Sequence, residues 1–120
     1  MTRFASGPPA FEFLTRLAAR GERVAYADFA FELGLGSPRN LGWLLTPLVE
    51  WCRECGLPLL PVIVVRRADG LPSGGYDPDL IGPETARVFG HDWRAVPGPG
   101  PADLFRLAVR PPHSGTFQSC

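Results

Sequence analysis

The sequence predicts an α+β domain, and three observations carry that prediction. Apolar residues recur at helical spacing along residues 11–18, 29–33, 41–55 and 104–108. A β-branched run, Val62-Ile63-Val64-Val65, is long enough for one well-buried strand. The 14 glycines and 14 prolines cluster at Pro8-Pro9, Gly70 to Gly75 and Pro97 to Pro101 rather than spreading evenly, so the elements are short and sharply punctuated.

A chain of 120 residues fits a single domain spanning 1–120, and a hydrophobic share of 45% with 20% charged residues sits near globular averages, which excludes wholesale disorder. The division expected is a leader (1–8), a core (9–76) and a C-terminal extension (77–120).

In the first helix, about residues 9 to 20, Pro8-Pro9 suits an opening turn whose amides have no intrahelical acceptor. Phe11, Leu14, Leu17 and Ala18 share a face, and Gly21 stops the helix. The row Arg23-Val24-Ala25-Tyr26 then reads as a short strand. A second helix, about 27 to 33, places Phe29, Ala30 and Leu33 on one face and ends at Gly34. For the third helix Ser37 is the expected N-cap and Pro38 the first helical residue. Its apolar face is Leu41, Leu44, Leu45, Leu48, Cys52 and Cys55, while Arg39, Asn40, Trp43, Glu50 and Glu54 point mostly away. Pro47 either kinks this helix or starts a new one capped by Thr46.

After Gly56 and the strand at 62–65, Arg66 to Tyr76 forms a loop of hairpin or wing size, with Asp69-Gly70 as its turn signal. In the extension, Pro83 to Phe89 reads as a helical turn or two, Trp93 to Val96 as a short strand, and 102–109 as a last helix. Helix, strand, helix, helix, strand, loop is the winged-helix order, a helix-turn-helix variant whose third helix enters a major groove.

Charge and cysteine content narrow the function classes. All 12 basic residues are arginine, balanced by 12 acids, so any nucleic-acid contact has to be local rather than driven by bulk charge. No stretch approaches the length of a membrane span and the first residues hold no signal-like apolar run, so a soluble cytoplasmic protein is expected. Cys52 and Cys55 form a Cys-x-x-Cys, but His91 and His113 are isolated, so the pair reads as core-facing rather than as half of a zinc site. Neither a metal nor a cofactor is expected. Asp77, Asp79, Glu84 and His91-Asp92 read as solvated turn formers, since no nucleophile, phosphate loop or ligand spacing accompanies them.

With these residues in place, Phe11 to Tyr76 resembles the C-terminal domain of O6-alkylguanine-DNA alkyltransferases and their alkyltransferase-like relatives. The family's Gly-x-Val-x-x-Tyr turn compares with Gly21-Glu22-Arg23-Val24-Ala25-Tyr26, and its Arg-Ala-Val-Gly stretch with Arg39-Asn40-Leu41-Gly42. The resemblance implies that Arg39 inherits the arginine that replaces a flipped base, and Tyr26 the tyrosine that rotates the target phosphate. The family's Pro-Cys-His-Arg-Val reads here Pro61-Val62-Ile63-Val64-Val65. Valine cannot supply the thiolate that attacks an alkyl carbon, so transferase activity is not carried over. The joint replacement of Cys, His and Arg reads as a pocket converted to plain strand. Small bacterial and phage domains with a Tyr-led helix and a Leu-Val-Val-Asn-Lys-x-Thr-Gly-x-Pro-Gly hairpin are similar over Val64 to Gly74.

The function expected is therefore a non-catalytic DNA-binding module without alkyltransferase activity. Its candidate contacts are Tyr26, Ser37, Arg39, Asn40, Trp43, Arg66 and Arg67. The alternative is a protein–protein interaction module, a subunit or inhibitor in a bacterial or phage conflict system, in which Trp43, Tyr76, Trp93 and the apolar last helix meet a protein partner or a second copy.

Overall fold

Pro8 and Pro9 fill the first turn of helix α1 (Gly7–Ala19), from which Ala10, Phe11, Leu14, Leu17 and Ala18 face inward as one buried stripe. The computed structural model describes residues 3–35, 41–72 and 76–109. A 3-10 turn, Arg3–Ser6, precedes α1 and buries Phe4, so the core reaches into the stretch expected to be leader.

Strand β1 (Val24–Ala25) leads directly into helix α2 (Tyr26–Glu32), which buries Phe29 and Ala30. Helix α3 (Gly42–Glu54) follows, and strand β2 (Val64–Val65) pairs with β1 in parallel, Val24 opposite Val64 and Ala25 opposite Val65. The third helix is a single element that runs through Pro47, which itself is buried; the alternative of a second, Thr46-capped helix does not hold. Its expected start at Ser37-Pro38 lies outside the described residues.

α1, α2 and α3 end the same way. At the end of α3 the Gly56 amide donates to the Arg53 carbonyl and the Leu57 amide to the Cys52 carbonyl, a Schellman closure with Gly56 at φ 69°. Gly21 and Gly34 occupy the corresponding position after α1 and α2, which is why the glycine stops in the sequence were readable.

Two strand expectations are corrected. Pro61 fixes its own φ and offers no amide, so Leu60–Ile63 coils into a 3-10 turn and only Val64–Val65 extends. All the side chains from Leu60 to Val65 are buried, which explains an apolar run without alternation. Trp93–Ala95 is likewise a 3-10 turn rather than a strand: Asp92 Oδ1 accepts the Arg94 amide at 3.1 Å, and the Trp93 indole donates to the Val88 carbonyl at 2.9 Å.

The extension packs on the same core. Helix α4 (Pro78–Gly90) is longer than expected, started by Asp77, whose Oδ1 accepts the Asp79 amide at 3.0 Å. It contributes Val88, and helix α5 (Pro101–Val109) contributes Leu104 and Leu107, to one cluster with Leu14, Leu44 and Ile63. Full burial of two leucines stabilises α5 on the body by roughly 4 kcal/mol. Phe11 sits at the centre, edge-on to Trp51 at 5.4 Å and to Trp93 at 6.0 Å between ring centres. Mostly helical with a two-stranded parallel sheet, the chain is α+β.

Candidate functional site

Parallel pairing decides which candidate residues meet. Because Ala25 lies opposite Val65, the chain leaves both strands at the same end, through Tyr26 on one and Arg66 on the other. Tyr26 is half-buried at the first position of α2, near Arg66. Arg67, next along, donates from Nη2 to Asp28 Oδ2 on α2 at 3.2 Å. Tyr26, Arg66 and Arg67 thus form one patch, drawn from segments far apart in sequence.

The expected wing is a self-closed loop. The Arg66 amide donates to the Leu71 carbonyl at 2.9 Å, and the Gly70 amide returns to the Arg66 carbonyl at 2.8 Å with Gly70 at φ 70°. Inside it the Arg66 guanidinium grips Asp69 with Nε at 3.2 Å and Nη2 at 2.8 Å, and Asp69 Oδ1 also accepts the Leu71 amide at 3.0 Å. The Arg66 hydrogen bonds, followed by that amide, hold the Asp69 carboxyl below its ordinary range. Among the described residues β2 pairs with β1 and no returning strand follows, so the loop is not the tip of a hairpin.

Behind this loop lies an open cleft of about 410 Å³. Val62 and Val65 form its floor, Leu71 and Pro72 one wall, and Pro78, Ile81, Gly82 and Thr85 of α4 the other, with Arg23 at the rim. The resemblance sets Val62 where the alkyltransferases keep their nucleophile. The cleft lies beside Val62, and its lining offers no thiol nucleophile. Cys52, the buried free thiol, is no substitute: burial pushes it up to about 12. Burial likewise raises the half-buried Tyr76 above its ordinary range.

The other candidates separate. Trp43 is half-buried rather than displayed, packed against Phe4 at 6.1 Å between ring centres, and Phe4 in turn meets Phe105 of α5 at 6.3 Å. Ser37, Arg39 and Asn40 lie outside the described residues. Glu54, read from the helix face as pointing away, has a nearly buried side chain held by Arg106. Glu84, read as a solvated turn former, is also enclosed, accepting the Leu59 amide at 2.7 Å and pairing with Arg87 at 2.9 Å.

Sequence reasoning passed over Arg23, Ile81 and Thr85. Arg23 sits in a strand-like run where a charged residue carries no signal, and nothing in residues 78–85 tells that α4 returns to cover Val62. Among the described residues there is no group of three potential metal ligands and no helix long and apolar enough to cross a membrane. No family model matches the chain, and neither does any curated protein or solved structure.

Proposed function

We propose that the chain is a non-catalytic DNA-binding module of the winged-helix type. The observation that supports this reading is the convergence of Tyr26, Arg66 and Arg67 at one end of the parallel strand pair. Two guanidiniums and a phenol on one patch suit a phosphate pair, and among the described residues both arginines are paired with exposed carboxylates. Such surface pairs are worth about 0–1 kcal/mol each and exchange readily for phosphate. In this reading the Arg66–Leu71 loop serves as the wing, and Arg39 and Asn40, which precede the third helix in sequence, supply base contacts. A formally neutral chain agrees with local rather than bulk attraction. Val62 leaves the module without alkyl-transfer chemistry. Fluorescence anisotropy of a labelled duplex against salt tests it: binding that weakens with salt and is lost in Arg39→Ala supports the reading, and no binding at low salt overturns it.

A second reading, a protein–protein interaction module, has its own observation. On α5, Arg106 is turned to Glu54 on the body and Asp103 closes the helix's own first turn by accepting the Gly100 amide, while Phe105 and Val109 are 58% and 65% exposed. On α2, Phe31 is 81% exposed. Light scattering and co-purification separate this reading from the first.

A further inference from the structure

The cleft between α4 and the Arg66–Leu71 loop has a chemistry that duplex contact does not use. Its floor and walls are hydrocarbon, chiefly Val62, Val65, Leu71, Pro72 and Ile81. Of its two polar side chains, Thr85 already donates its hydroxyl proton to the Ile81 carbonyl at 2.7 Å. The other is Arg23, the sole charge on the lining, and no carboxylate among the described residues pairs with it. The Phe89 ring, whose centre lies 5.6 Å from the guanidinium carbon, holds Arg23 without consuming any of its N–H donors.

We propose that this cleft binds small monocarboxylic acids whose body is a branched or aromatic hydrocarbon. A single guanidinium fork matches a single carboxylate through two parallel hydrogen bonds, whereas a phosphate monoester dianion would leave half its charge uncompensated. Hydrocarbon walls accept an isobutyl or phenyl group, but they would strip water from the polar edge of a nucleobase and return nothing. The volume, about 410 Å³, falls in the range of small-molecule sites. The proposal rests on Arg23 and α4, not on Tyr26, Arg66 or Arg67, so it stands or fails apart from the DNA reading.

The test uses the full chain and 3-phenylpropionate, followed by amide chemical shifts. Saturable shifts are expected at Val65, Leu71 and Ile81, with a dissociation constant of about 1 mM for a ligand of this size. The uncharged 3-phenylpropionamide should bind at least about tenfold more weakly, and Arg23→Gln should reduce acid binding by the same factor while leaving the amide unaffected. Gly82→Leu, on the cleft lining, is a second variant; a Cβ at this helical position meets no atom within 4 Å, and the larger side chain should narrow the cleft and weaken binding. Three outcomes overturn the proposal: no saturable shift up to about 10 mM, equal affinity for acid and amide, or unchanged acid affinity in Arg23→Gln. Binding of thymidine at these amides as tight as the acid overturns the ligand class. N-acetyl-alanyl-phenylalanine binding more than about tenfold tighter than the acid overturns the free acid in favour of a polypeptide end.

Discussion

Arg106 on α5 grips Glu54 at the end of α3 with two parallel hydrogen bonds, Nη2 to Oε1 at 3.0 Å and Nη1 to Oε2 at 3.2 Å. The Glu54 side chain is 5% exposed and that of Arg106 37%. The carboxylate is therefore largely removed from water, and its charge is compensated by a residue that lies 52 positions further along the chain. Replacing Arg106 by Leu removes both of these hydrogen bonds and sets hydrocarbon against that carboxylate. Breaking a fully enclosed pair costs about 3–5 kcal/mol, and partial access of water through the Arg106 side lowers the expected loss to about 2 kcal/mol. Urea unfolding of Arg106→Leu, and of Arg106→Leu with Glu54→Gln, measures it: the double variant should recover part of the loss, and equal stability of Arg106→Leu and the parent would refute the argument.

Gly7 is a packing glycine. A Cβ there would overlap Cδ1 of Leu104, which is itself fully buried, so that side chain would have to turn aside within the core. Gly7→Ala should destabilise by about 1–3 kcal/mol in spite of its better helix propensity. Leu104→Val in the same chain should cost less than the sum of the single changes, because the two sites share one space. Thermal denaturation of the three variants decides it; a Gly7→Ala protein more stable than the parent would show that α5 shifts to make room.

Cys52 links stability to alkaline pH. Burial, the largest cause, outweighs its backbone hydrogen bond at Leu60 and raises the thiol from its ordinary 9.0 to about 12. A folded value above the unfolded one means that the unfolded chain loses its proton first. Stability contributed by the neutral thiol is complete below pH 9.0 and is lost between there and about pH 12, with a slope approaching 1.4 kcal/mol per pH unit. The Cys52→Ala protein should show a shallower decline between pH 9 and 11; parallel curves would contradict the assignment. At the acid end the sign reverses for Asp69 and Asp92, both held below their ordinary 3.8 by Arg66 and Arg94. Their contribution is present above that value and fades as pH falls through the lowered one, and it is small because both carboxylates are solvated.

Arg66→Gln and Arg67→Gln test the proposed patch against the fold. Each should lower the log–log salt slope of duplex binding by about one. Melting temperature should stay nearly unchanged, since the pairs removed are on the surface. A slope equal to the parent's in both variants would remove the wing from the interface.

Much of the frame was legible because its signals are local. Gly21, Gly34 and Gly56 stop three helices through the same backbone closure, and a helix stop depends on a few neighbouring residues. The stripe from Leu41 to Cys52 announced its buried face in the same way. What escaped depends on segments meeting from afar. Glu54 reads as a solvated helix residue until α5 brings Arg106 to it, and Val62 reads as strand until Pro61 coils the backbone before it. Of the candidate site, the grouping of Tyr26 with Arg66 was hidden because pairing direction is not written in a two-residue strand. Arg23 carried no signal at all, since its significance arises from the cleft that α4 closes.

The pairing of Val24 with Val64 also orders events in time. Two strands of two residues, separated by forty positions, have no hairpin from which to start. Their hydrogen bonds form only after α2 and α3 have folded back and the loop-closure entropy between them has been met. The sheet is thus a latecomer in folding, completed by helices rather than guiding them. Formed last, its hydrogen bonds are also among the first to open, so its amide protons should exchange through partial openings that leave the helices in place.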